Sequence, residues 1–193
     1  MLSNNSLDQL FRTARTHSHW LPKSVDDEII KELYSLSKQG PTSANSCPAR
    51  FVFVKGDQAK EQLITVTNAG NIEKVAHAPV TVIIAWDSEF YEKLPTLTPQ
   101  KPLRDIFASN PQLAQDTAFR NSSLQGAYFI MAARALGLDC GPMSGFDETA
   151  LNKAFFPDGK WKVNFICNVG YGDSSKLHPR NPRLAFAEAC KII

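Results

Sequence analysis

The chain lacks most of the signatures that assign a reaction at sight. No G-x-G-x-x-G follows its first strand-like segment and no G-x-x-x-x-G-K-[ST] occurs, so neither a Rossmann dinucleotide site nor a P-loop is supported. There is no G-x-S-x-G elbow either. The four cysteines, Cys47, Cys140, Cys167 and Cys190, form no C-x-x-C pair, which argues against a zinc knuckle and a disulfide framework and leaves reduced thiols. Only four histidines occur, and neither His77 nor His178 supplies a further ligand cluster, so a metal site built on His17-x-His19 is not expected. Charge of one sign is also missing: 21 Lys and Arg stand against 19 Asp and Glu, scattered along the chain, and nucleic acid is not an expected partner. No run approaches the roughly 20 apolar residues of a membrane span. Met1 to Ser6 has no basic segment leading into an apolar one, so the expectation is a soluble, cytoplasmic protein.

What is present fits one domain over residues 1–193, since a chain of this length with 43% hydrophobic residues can bury its own core. Ser6 and Gln9 are spaced as a capping box for a first helix whose face is Leu7, Leu10, Phe11 and Ala14, a face that reads as core. A second helix spans about Asp26 to Gln39, with apolar positions at Ile29, Ile30, Leu33 and Leu36, and Gly40-Pro41 stops it. A buried strand follows over Arg50 to Val54, then a third helix over about Asp57 to Thr67. The β-branched run Val80 to Trp86 reads as a central strand covered on both faces.

The stretch 93–111 carries Pro95, Pro99, Pro102 and Pro111 and cannot be one regular element. It reads as an excursion or lid, with a linker as the alternative. A long helix over about Gln112 to Leu136 follows, rich in small residues at Ala114, Ala118, Ser122, Ser123, Gly126 and Ala127, which suits close packing on several sides or against a second subunit. Gly137 ends it, Asp147 caps a short helix to about Phe155, and Trp161 to Val169 reads as another central strand. The C-terminal arm 173–193 closes on an apolar segment, Leu184 to Ile193, that must bury itself on this domain or on a partner. Alternating strands and helices indicate a layered α/β or α+β domain.

Three segments carry candidate chemistry. Pro41-Thr42-Ser43-Ala44-Asn45-Ser46-Cys47-Pro48 gathers hydroxyls and an amide between a helix and a strand, either as a grip on a ligand or as an ordinary connection. Cys47 is a conceivable nucleophile, but no histidine marks it as activated. Arg12 to His19 offers two guanidiniums and two imidazoles near a helix end, suited to a phosphate or simply solvated there. Gly137 to Asp147 is a glycine-bearing loop in which Ser144 and Gly145 present amides and Pro142-Met143 an apolar cover; the plain alternative is a turn between helices.

In this order, from about Leu10 to Leu184, these segments resemble the nitroreductase family of FMN-dependent oxidoreductases. The resemblance rests on Arg15-Thr16-His17, on Pro41 to Pro48, on Asn71 in Gly70-Asn71-Ile72-Glu73-Lys74, on Ser144-Gly145-Phe146-Asp147, and on Arg180 with Arg183. Gly40 to Arg50, Ala118 to Ala127, Arg134 to Phe146 and Arg183 to Ala187 look most like the malonic semialdehyde reductase branch, associated with pyrimidine degradation. Ala49-Arg50 stands where many relatives have an aromatic residue after the loop's proline.

The resemblance implies a nitroreductase-like α+β fold: a central mixed sheet flanked by helices, in an intertwined homodimer with FMN at the subunit interface. It implies reduction of a short semialdehyde to 3-hydroxypropionate by NADH or NADPH, with no indispensable side-chain acid because the flavin carries the hydride. A broad nitro or quinone reductase is the alternative within the class; a non-catalytic flavin-binding or dimeric interaction protein is the alternative outside it. By resemblance, Arg15, Thr16, His17, Arg180 and Arg183 hold the phosphate and ribityl chain. Pro41, Thr42, Ser43 and Asn45 line the ring from the second subunit, Asn71 bonds the pyrimidine edge, and Met143, Ser144 and Gly145 face the ring's electron-accepting edge. Arg50 and Arg120 are the candidate cations for a substrate carboxylate.

Overall fold

Four strands carry the fold: β1 (Ala49–Val54), β2 (Val80–Asp87), β3 (Asp139–Met143) and β4 (Trp161–Gly170), in the spatial order β1-β2-β4-β3. The computed structural model describes residues 1–193. Around the sheet lie α1 (Asn4–Leu7), α2 (Asp27–Ser37), α3 (Asp57–Thr65), α4 (Ile72–His77), α5 (Leu94–Leu97), α6 (Arg104–Ala108), α7 (Pro111–Ala135), α8 (Glu148–Phe155) and α9 (Phe186–Ala189). None of these helices is long and apolar enough to cross a membrane.

Every residue of β2 is buried, as its β-branched run predicts, and side-chain alternation explains how. Val80, Val82 and Ile84 pack with Cys167 and Val169 against Leu33 of α2 and Phe129 and Ala133 of α7. Ile83 and Ala85 face the other way, into a core with Leu63 of α3, Val75 of α4 and Leu151 of α8. Helices therefore cover both faces of the sheet. The expected mixed sheet is corrected in one respect: all three ladders are antiparallel, and the parallel pairing is an isolated bridge from Thr16 to Cys140.

The small residues of α7 have a packing cause. Ala114, Ala118, Ser122 and Gly126 recur at four-residue spacing on its buried side, and a Cβ on Gly126 would stand 2.6 Å from the Phe165 ring. Elsewhere on the helix Leu113, Phe119, Leu124 and Tyr128 are exposed. The segment 93–111 is two short helices, as four prolines require, held down by Phe90, Leu94 and Phe107 against Trp86, Ala114 and Ala118.

Four expectations are corrected. Ser3, not Ser6, caps the first helix, its Oγ accepting from the Ser6 N–H, and the stripe from Leu7 to Ala14 is not core. Gln9 instead donates to the carbonyls of Arg134 (2.7 Å) and Ala135 (3.3 Å), in the last turn of α7. The face of α2 stops at Leu33; Leu36 is exposed. Residues 139–143, read as part of a loop, form edge strand β3, whose Gly141 and Pro142 mask its strand character; an edge tolerates a proline because one side of the strand needs no N–H. The apolar arm finds no cover on its own domain: Leu184 is 70% and Phe186 63% exposed.

Candidate functional site

The segment after α1 crosses the β3 edge of the sheet in an extended path. Thr16 bridges to Cys140, the His17 N–H donates to the Cys140 carbonyl at 3.0 Å, and Trp20 bridges to Gly172. Two glycines make room for this crossing. A Cβ on Gly141 would overlap the His17 carbonyl, and one on Gly172 would overlap the imidazole ring.

Where this segment meets the C-terminal arm there is a cavity of about 500 Å³ bordered by Arg15, Arg134, Lys176, Arg180 and Arg183, with His19 and His178. None of these five cations is in an ion pair. Their guanidinium bonds go to backbone carbonyls: Arg180 to Arg12 (2.9 Å) and Ala14 (2.7 Å), Arg15 to His178, and Arg183 to Asn181 and Pro182. The Nε of Arg134 is buried without any partner. Asp173 is the one carboxylate on the rim, held below the usual carboxylate range by bonds from the Ser175 hydroxyl and amide. A cluster of unneutralised guanidiniums is the arrangement a phosphate dianion satisfies.

His17 also borders this cavity, with its imidazole turned inward. Its side chain is only 6% exposed, its Nε2 lies 3.4 Å from an Asp139 oxygen, and it rests over Gly172. The imidazole thus anchors the crossing segment, and Arg15, Thr16 and His17 all border the cavity.

The second group stands at the other end of β3. Asn71, at the start of α4, donates from Nδ2 to the Gly145 carbonyl at 3.2 Å, and the Asn68 N–H reaches the same carbonyl at 3.0 Å. Gly145 has no room for a side chain, because a Cβ would overlap the Asn71 amide. Lys74, one turn on, places its ammonium 2.9 Å from Asn71 Oδ1. Met143 and Ser144 border a shallow apolar cleft of about 410 Å³ with Ile130 and Phe165. From Cys140 to Gly145 the chain covers about 16 Å at about 3.3 Å per residue, so β3 joins the basic cavity to this group.

The Pro41 to Pro48 loop belongs to neither. It precedes β1, the opposite edge strand, about 14 Å across the sheet at about 4.8 Å per strand. Ala44, Asn45 and Cys47 have φ of 55°, 50° and 41°, a left-handed conformation that costs roughly 1–3 kcal/mol for a non-glycine residue. The surroundings hold it there. Asn121 accepts from the Ser43 N–H (2.7 Å), Gln125 from the Ala49 N–H (2.8 Å), and the Ala44 carbonyl from Thr98 (2.7 Å). The Thr42 hydroxyl accepts from the Cys47 N–H and the Asn45 amide donates to Leu97, whereas the buried Ser46 hydroxyl has no partner.

The two candidate substrate arginines stand apart from the basic cavity and from the cleft. Arg50 is paired with Asp87 at 2.6 Å, and Arg120 stands exposed on α7, bordering neither cavity nor cleft. Three cations were missed. The i, i+3 spacing of Asn71 and Lys74 could have revealed Lys74, and the position of Arg134 in the last turn of a long helix was a weaker signal; nothing in the sequence marked Lys176.

A model of the Nitroreductase family matches residues 11–171. A protein of Ralstonia nicotianae carrying the inferred name NADH dehydrogenase/NAD(P)H nitroreductase is 59% identical over 192 residues, covering 100% of this chain and 98% of that protein. Among solved structures, a nitroreductase from Bacillus subtilis superposes with a TM-score of 0.86 at 22% identity, covering 99% of this chain and 100% of its own. One from Exiguobacterium sibiricum, solved in complex with FMN, has a TM-score of 0.87 at 16% identity over 100% and 99% of the two chains. These two likenesses concern the fold.

Proposed function

The chain belongs to the nitroreductase family, and from that premise we propose an FMN-dependent oxidoreductase that takes a hydride from NADH or NADPH and reduces a small semialdehyde such as malonic semialdehyde to 3-hydroxypropionate. One observation carries the cofactor assignment. A cavity with five unneutralised cations is joined by a single strand to a cluster of amides and an ammonium, and the residues present fit FMN at both ends.

Bound FMN supplies the hydride relay between the nicotinamide and the acceptor. The chain's own residues bind and orient it. Arg15, Arg180 and Arg183, with Arg134 and Lys176, neutralise the phosphate by charge-assisted bonds, and Thr16 lies beside them. Asn71 presents its amide to the pyrimidine edge. Lys74 would set a positive charge beside the ring, and Met143, Ser144 and Gly145 would bring backbone close to it. The product hydroxyl takes its proton from solvent, and no side-chain acid is assigned.

The reading includes a homodimer in which Pro41, Thr42, Ser43 and Asn45 reach the partner's flavin. Three features support it: the loop lies at the far edge of the sheet from Gly145, α7 exposes Leu113, Leu124 and Tyr128, and the C-terminal arm is uncovered. Four free cysteines accord with a cytoplasmic setting.

The semialdehyde is supported by the branch-like segments around Pro41 to Arg50 and Arg134 to Phe146. The names of the relatives favour a second reading, a broad NAD(P)H nitro or quinone reductase. NADH- and NADPH-driven turnover of malonic semialdehyde, measured beside that of a nitroaromatic, separates the two. A kcat/KM at least tenfold higher for the semialdehyde is expected, and turnover of the nitro compound alone overturns the first reading. A purified protein that takes up no FMN overturns both.

A further inference from the structure

Asn168 is a polar residue in the middle of the sheet with no exposed surface, and all of its side-chain bonds lead toward one place. Its Oδ1 accepts from the hydroxyl of Thr81, also fully buried, at 2.7 Å. Its Nδ2 donates to the backbone carbonyl of Lys74 at 2.8 Å. That carbonyl lies in the last turn of α4, where a helix leaves its acceptors without intrahelical donors. A buried amide is unfavourable unless bonded, and this one is bonded so as to fix α4 against the sheet.

The bonds continue outward. The Lys74 ammonium reaches Asn71 Oδ1 at 2.9 Å, and Asn71 Nδ2 reaches the Gly145 carbonyl at 3.2 Å. An unbroken path thus runs from β2 through β4 to the residues that the proposed function sets against the flavin's pyrimidine edge. Asn168 also stands directly opposite Gly141 in β3, the strand that joins that edge to the phosphate end.

We infer that Asn168, with Thr81, is a positioning residue: it holds α4 at the height where the Lys74 charge and the Asn71 amide meet the flavin, and so helps set the reduction potential of the bound cofactor. The inference rests on the FMN reading above. A nearby cation favours the more negative, reduced form over the oxidised one, so a displaced Lys74 binds the reduced form less well relative to the oxidised form. The potential then falls. A residue that only filled space would change stability and leave the potential alone.

The experiment compares FMN-loaded wild type with Asn168→Ala, Thr81→Val, Thr81→Ser and Val82→Ala. Val82 is a buried neighbour of Thr81 that points to the other face of the sheet. Three quantities are read: the FMN dissociation constant, the two-electron midpoint potential of the bound flavin, and the thermal midpoint. Asn168→Ala is expected to weaken FMN at least tenfold and to lower the potential by about 30 mV, which for a two-electron couple is a tenfold change in the relative affinity for the two redox states. Thr81→Val moves both in the same direction by less, Thr81→Ser restores wild-type values, and Val82→Ala lowers the thermal midpoint alone.

A folded Asn168→Ala with wild-type potential overturns the inference, as does an equal shift in Val82→Ala. Should Asn168→Ala fail to fold, the two Thr81 variants decide, and a wild-type potential in Thr81→Val is the refuting result. Failure of the wild type to bind FMN removes the inference together with its premise, whereas normal FMN binding with an unmoved potential removes the inference alone.

Discussion

The guanidinium of Arg50 meets the carboxylate of Asp87 at 2.6 Å, with the two side chains 21% and 13% exposed, and donates as well to the carbonyls of Cys47 (3.1 Å) and Ala49 (2.8 Å). Its donors are thereby directed at the end of the Pro41 to Pro48 loop. Arg50 is a brace for that loop, and a substrate carboxylate would have to displace Asp87 to reach it. Removing one member of a fully buried pair costs roughly 3–5 kcal/mol; partial exposure reduces this. Arg50→Met is therefore expected to destabilise by about 2 kcal/mol, or roughly 4–8 °C in Tm at this chain length. The semialdehyde KM of the FMN-loaded fraction should stay within about twofold. Calorimetry with steady-state kinetics checks both, and a large KM rise at unchanged Tm would return Arg50 to substrate binding.

Arg183 and Arg180 make no ion pair within the chain and border the basic cavity. A hydrogen bond to a charged partner is worth about 1.5–3 kcal/mol, so Arg183→Ala should weaken FMN by about 10- to 100-fold. Riboflavin lacks the phosphate, and its affinity should hardly change. Fluorescence titration with both flavins measures the ratio; an equal loss for the two would place Arg183 elsewhere.

Gly145→Ala sets a methyl group into the Asn71 amide. Overpacking of this kind costs about 1–3 kcal/mol, relieved here by moving Asn71 away from its position beside Lys74. The expected outcome is at least a tenfold loss of FMN affinity with a modest fall in Tm. Wild-type FMN binding by this variant would show that the Asn71 contact has no part in the site.

The acid limb of stability should depend on Asp27. The Lys55 ammonium, by hydrogen bond and by charge, holds this carboxyl below its ordinary value of 3.8. A depressed carboxyl pKa gives a contribution that is present in full above the unfolded value and is lost as pH falls through the folded one. The contribution should therefore be constant at neutral pH and decline below about pH 4. Asp27→Asn should flatten that decline and leave the rest of the profile unchanged, as denaturant midpoints taken from pH 7 to pH 3 would reveal. A variant with the same acid slope as wild type contradicts the assignment.

The uncovered arm yields a fifth expectation. A charge introduced at Phe186, as in Phe186→Asp, should shift the protein toward a smaller species in light scattering and reduce FMN occupancy with it, because the proposed site takes residues from two chains. Unchanged mass would exclude the arm from the subunit contact.

Much of the fold was legible because its signals are local. The Val80 to Trp86 run, the four-residue spacing of small residues in α7, Gly137 at φ 75° and the Asp147 cap all specify their own element. β3 was hidden because Gly141 and Pro142 serve long-range ends: one admits the His17 backbone, the other is tolerated at an edge. Of the expected site residues, Asn71 and Gly145 prove to be neighbours, a pairing their order in the chain anticipates. Lys74 and Arg134 needed the packing of helices to come into view. The inward turn of His17 and the engagement of Arg50 depended on Asp139 and Asp87, partners distant in sequence that no local pattern announces.

The basic cavity draws Arg15 from near the beginning of the chain and Arg183 from near its end. During synthesis the sheet and its helices can assemble while this recess is still open on one side, for its second wall has not yet been made. In the proposed site, a phosphate-bearing ligand would therefore find its full set of cations only on a chain translated past Arg183. Once seated in the proposed site, it would tie Arg15 on one side of the sheet's edge to Arg183 of the arm, two segments far apart in the chain.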